Sequence, residues 1–118
     1  MSEGLSQRVR EFLLAYVDSI GLLEVLLMLA AAPQTGFTAD QVSDHLRTSP
    51  MSAQERLRSL TDRKLADRLP NGSFRFGSGA ELAAVVREVS EAYRDRRVSV
   101  MTLIYSRPSR AVPGVTDP

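Results

Sequence analysis

The chain has no cysteine. Disulfides, thiolate metal sites and cysteine nucleophiles are therefore excluded, and a reducing compartment is compatible. Histidine is almost as scarce. His45 is the single copy among 118 residues, so a metal site built on it has neither a cysteine nor a second histidine to join it. It reads as a helix-surface or capping residue. Ser43-Asp44-His45 is not a triad, because consecutive helical residues point in different directions. There is no glycine-rich phosphate loop, and Gly77-Ser78-Gly79 is too short to serve as one. No pair of carboxylates has a clear acid/base spacing. Together these gaps argue against an enzyme and against a bound cofactor or metal.

Charge of one sign is also missing. The net charge is +1, so any surface for nucleic acid must come from local clustering. Long hydrophobic runs are absent. The longest, Val25 to Ala32, falls far short of the roughly 20 residues a membrane-crossing helix needs. The opening Met-Ser-Glu-Gly lacks a basic-then-apolar leader. The expectation is a cytoplasmic protein with no membrane partner.

What is present is strong helical periodicity. Leu5 to Ser19 carries Val9, Phe12, Leu13, Tyr16 and Val17 at three-four spacing, the mark of one apolar helical face. Gly21 interrupts or bends the chain. Leu22 to Ala32 is apolar nearly all round, as buried helices are, and Pro33 ends it. Thr38-Ala39-Asp40-Gln41 has the form of a capping box, opening a short helix to about Arg47. Ser49 then suits an N-cap and Pro50 a first helical position. The next helix runs from about Pro50 to Arg63, burying Ala53, Leu57 and Leu60.

After Arg63 the period changes to two. Leu65-Ala66-Asp67-Arg68-Leu69 and Phe74-Arg75-Phe76 flank Pro70-Asn71-Gly72-Ser73, which spells a β-hairpin. From Ala80 to about Ser106 one long helix is expected. Leu82, Val86, Val89, Tyr93, Arg96, Val100 and Leu103 follow alternating steps of four and three, a heptad-like seam that predicts a dimer interface. The prolines from Pro108 to Pro118 predict a flexible tail over 108–118.

The fold class that follows is mainly α with a small β-hairpin. It is a winged helix-turn-helix with long terminal helices, one domain over 1–107 with its core at 20–76. Leu22-Leu23-Glu24-Val25-Leu26-Leu27, Phe37-Thr38-Ala39-Asp40-Gln41-Val42, Met51 to Leu60 and Leu65-Ala66-Asp67-Arg68-Leu69 resemble the winged-helix domain of small bacterial transcriptional regulators, broadly MarR-like. The likeness covers about half the chain. It implies a homodimer on double-stranded DNA. The stretch departs from the pattern at Lys64, where such regulators often carry glycine. Either the helix ends differently or Lys64 bears strain.

On this reading the helix at 50–63 enters the major groove and the wing at 65–76 lies on the backbone. Arg56 and Arg63, seven apart, are expected on the outward face, with Arg58 to one side. Ser52, Gln54 and Ser59 add groups able to bond bases or backbone, and Arg47, Arg68, Asn71 and Arg75 extend the footprint. Glu55 and Asp62 interrupt it. The alternative is a winged-helix adaptor that binds protein and not DNA. A continuous positive surface across Arg47, Arg56, Arg63 and Arg75 favours DNA; a mixed or acidic one favours the adaptor. Nothing in the residues identifies a small-molecule effector.

Overall fold

The computed structural model describes residues 4–106, so the tail expected at 108–118 lies outside the described residues. Ser6 opens the first helix, α1 (Gln7–Tyr16), by accepting the Val9 N–H at 3.2 Å. Val9, Phe12 and Leu13 form its buried face, at the spacing their sequence positions predict. The helix stops three residues before the expected Ser19. Val17 is extended, and the Ser19 hydroxyl begins a new helix by accepting the Leu22 N–H at 3.1 Å.

That second helix, α2 (Ile20–Ala31), contains Gly21 within its first turn, so the bend falls before the glycine and not at it. The axis turns by 113° between α1 and α2. Leu22, Leu23, Val25, Leu26 and Leu29 are buried in α2, which makes it the central pillar. No single helix among the described residues is long and apolar enough to cross a membrane; the bent α1–α2 pair matches a span in length and composition only when taken together.

The capping box forms as spelled. Thr38 accepts the Gln41 N–H at 3.1 Å, the Gln41 side chain accepts the Thr38 N–H at 2.9 Å, and α3 (Ala39–Leu46) follows. Arg47 then adopts a left-handed conformation at φ 57°, which turns the chain sharply. Ser49 and Pro50 start α4 (Pro50–Asp62), with Ala53, Leu57 and Leu60 fully buried. The buried Ser43 hydroxyl secures this junction by donating to the Thr48 carbonyl at 2.6 Å.

A two-stranded antiparallel sheet comes next: β1 (Ala66–Arg68) and β2 (Phe74–Phe76), with Asp67 opposite Arg75. β1 is shorter than the alternation suggests, because Leu65 still donates its N–H to the Leu60 carbonyl and Leu69 belongs to the turn, while β2 spans the residues expected. Phe37 adds a bridge to β2, exchanging backbone hydrogen bonds with Phe74 at 2.7 and 2.8 Å. That pairing ties the segment before α3 to the hairpin.

The long helix expected over 80–106 is two helices. α5 (Ala80–Asp95) and α6 (Arg97–Ser106) are separated at Arg96, whose backbone sits at φ −134° and ψ 48°. Breaking there lets both pieces reach the core. α5 packs on α1 and α2, and α6 packs on α1 and α5. Val86, Val89, Tyr93 and Val100 are buried by the chain's own helices, with Leu82 and Leu103 packed at the margin of the same core. The predicted dimer seam is thus mostly internal. Arg96 is its exception, exposed at the break with its guanidinium against Gly4.

One continuous core joins the described helices and the sheet. α2 divides the molecule into two layers, with α3, α4 and the hairpin on one side and α1, α5 and α6 on the other.

Candidate nucleic-acid interface

α4 is held from three directions: by α3, packed on it directly and joined through a turn that the Ser43–Thr48 bond closes, by α2, and by β1. Its outward face is therefore fixed relative to the hairpin. At about 100° per residue, Arg58 lies roughly 130° around the helix from the buried line of Ala53, Leu57 and Leu60. Arg56 and Arg63 lie only about 70° and 90° from it, on the flank. The structure follows this arithmetic and reverses the expected assignment: Arg58 is outward and exposed, while Arg56 and Arg63 turn inward along α2 and the α1–α2 elbow.

Arg63 is an internal clasp. Its Nη1 donates to the Tyr16 carbonyl oxygen at 2.7 Å, and its Nη2 meets the Asp18 carboxylate at 3.3 Å. Tyr16 is the last residue of α1, so the guanidinium satisfies a carbonyl at that helix's negative end. Arg56 is half-buried. Its Nη1 lies 3.5 Å from the Thr48 hydroxyl, and its guanidinium presses so closely on Gly21 that a Cβ there would collide with it. Neither arginine stands out towards a groove.

The exposed surface of α4 consists of Pro50, Met51, Gln54, Glu55, Arg58 and Asp62. Ser52 and Ser59 are half-buried on the Arg56 flank. One cation with two carboxylates makes this face mixed, and Met51, 74% exposed, adds an apolar tip at the amino end. Cations gather around its edges. Arg47 sits at the α3–α4 turn, Lys64 at the carboxyl end of α4, and Arg68 and Arg75 on the hairpin. Among the described residues, none of Arg47, Arg58, Lys64, Arg68 and Arg75 has an ion-pair partner. Lys64 does bear the strain foreseen for it, with φ 66° in the left-handed region.

The hairpin tip is internally organised. The Asn71 side-chain oxygen accepts from the Ser73 N–H at 3.0 Å and from its hydroxyl at 2.7 Å, and Gly72 takes φ 90°. That oxygen is committed to the turn, so an outside contact by Asn71 would fall to its amide nitrogen.

On the opposite side, the Tyr93 hydroxyl donates to Glu24 at 3.2 Å and the Arg97 guanidinium lies 4.4 Å from the Tyr93 ring centre. Burial, and next the Glu24 charge, push the Tyr93 phenol above its usual pKa. The cluster joins α2, α5 and α6, and no periodicity in the sequence signals it. Among the described residues, no cluster of His, Asp and Glu could hold a metal ion.

Comparison of the chain with protein-family models, with curated proteins and with solved structures finds no match.

Proposed function

We propose that the chain is a winged helix-turn-helix that binds double-stranded DNA as a homodimer, with Arg58 in place of Arg56 and Arg63 as its central cation. The observation that carries this reading is the exposed outer face of α4 held beside a hairpin, with Arg47 before the helix, Lys64 after it, and Arg68 and Arg75 on opposite faces of the hairpin, none of the four with an ion-pair partner among the described residues. A helix so presented matches the width of the major groove, and cations at its edges match the flanking phosphates. Gln54 and Arg58 are the groups placed to read bases. Arg47, Arg68 and Arg75 are placed to hold the backbone.

A titration of duplex DNA at several salt concentrations tests it. Arg58→Ala is expected to cost about 1–3 kcal/mol at a preferred site, and Arg68→Ala to lower the salt slope by about 1 per protomer. Binding that ignores salt, or that survives both substitutions unchanged, refutes the reading.

The mixed charge of this face, with Arg56 and Arg63 withdrawn from it and Glu55 and Asp62 upon it, meets the charge criterion for a second reading, a protein-binding adaptor using the same face. Two carboxylates oppose phosphate, and an exposed methionine suits an apolar partner groove. In that case Met51→Glu abolishes partner capture, and no duplex binds at physiological salt.

A further inference from the structure

An acid occupies the outermost position of α4. At about 100° per residue, Glu55 lies about 170° around the helix from the buried line of Ala53, Leu57 and Leu60, nearer the outward pole than Arg58. It is exposed and has no ion-pair partner among the described residues. Arg58, three positions on and within reach along a helix, leaves it unpaired.

This placement separates two tasks. In the major groove the phosphates line the rims and the base edges form the floor. A residue at the outward pole of a docked helix faces the floor, and residues at its ends and beside it face the rims. The unpaired cations take the rim places: Arg47 before α4, Lys64 after it, Arg68 and Arg75 on the hairpin. Glu55 takes the floor. Asp62 shares its angle but is the last residue of α4, and a recognition helix sets its N-terminal residues on the bases. An ionised carboxylate only accepts hydrogen bonds. On the groove floor guanine shows the acceptors N7 and O6, and thymine shows O4 and a methyl, so both are mismatched to it. Adenine offers its N6 amino group but sets the N7 acceptor beside it. Cytosine offers its N4 amino group alone.

We infer that Glu55 is a specificity-determining residue that accepts from the N4 amino group of a cytosine, so that the preferred duplex carries a C·G pair there. The acid then has two effects of opposite sign. It weakens binding to duplex of arbitrary sequence and strengthens binding to the site that supplies the donor.

The inference rests on the DNA reading, and the experiment separates the two. The whole chain is used to select from a randomised duplex library. The wild type is expected to fix cytosine at one position. Thymine there, which exchanges the N4 donor for the O4 acceptor, is expected to weaken binding about tenfold or more. In Glu55→Ala that preference disappears, affinity for the selected duplex falls about tenfold, and affinity for a random-sequence duplex rises. Glu55→Gln shifts the same position towards adenine, whose N6 and N7 a glutamine amide matches. A selected site in which Glu55→Ala tightens every duplex alike, or whose bases neither variant alters, overturns the inference and keeps the DNA reading. Selection of no duplex by the wild type overturns both and leaves the face to a protein partner.

Discussion

At the scale of single residues, arginine has two employments in this chain. Arg63 serves the fold: its planar fork reaches a carbonyl and a carboxylate at once, geometry that lysine would not reproduce. Arg63→Met keeps the aliphatic stem and removes both bonds. It is expected to cost about 1–3 kcal/mol in urea denaturation, because the Tyr16 carbonyl loses a charged donor. Asp18→Asn is expected to cost less than about 1 kcal/mol, its partner being half in water. DNA affinity of the Arg63→Met protein, measured below its unfolding range, is expected to keep the full salt slope. A weaker slope with unchanged stability would return Arg63 to the proposed nucleic-acid surface.

At the scale of elements, the junctions decide how the helices are used. Hydroxyl caps at Ser6, Ser19, Thr38 and Ser49 start α1, α2, α3 and α4, each contributing on the order of 1 kcal/mol. Gly21 shows a different device. It lies in the first turn of α2 and leaves room for the Arg56 guanidinium, which is thereby stored against the helix. Gly21→Ala adds a methyl that pushes this flexible head outward. Helix propensity gains up to about 1 kcal/mol, and the Arg56–Thr48 hydrogen bond that would break is long and therefore weak. The expected outcome is an unchanged or higher Tm together with tighter, more salt-dependent duplex binding, as a further cation reaches the surface. A lower Tm with unchanged binding would show that Arg56 is needed where it is.

At the scale of the whole molecule, α2 couples the layer that presents α4 to the layer that contains α6. The Tyr93–Glu24 bond is a polar tie within that core. Tyr93 has a phenol pKa raised by burial and then by Glu24, so the folded state holds the proton more tightly than the unfolded chain. The resulting stabilisation is complete below the unfolded value near 10 and is lost as pH rises through the higher folded one. Stability measured by denaturant from pH 8 to about 11 is therefore expected to fall at the alkaline end, and Tyr93→Phe to fall less steeply. An equal slope in the two proteins would remove Tyr93 from the titration.

Much of this architecture could be read from residue order. The capping box at Thr38, the Ser49-Pro50 restart and the Asn71-Gly72 turn are local signals, and each is found where expected, because each depends on neighbours within about four positions. Even the flank positions of Arg56 and Arg63 and the outward position of Arg58 were available from the helical angle, though not the partners that draw Arg63 inward. Three features depended on how distant segments meet. The break at Arg96 forms because two shorter helices bury Val89 and Val100 together where one straight rod cannot. Arg63 turns inward because Tyr16 and Asp18, 47 and 45 positions away, offer it oxygen atoms. The heptad spacing of the last segment is a true apolar pattern, but periodicity states only that a face is to be covered. Which surface covers it, the chain's own α1 and α2 or a second copy, is settled by how the helices pack in three dimensions, since burial depends on shape and proximity that a one-dimensional pattern does not contain.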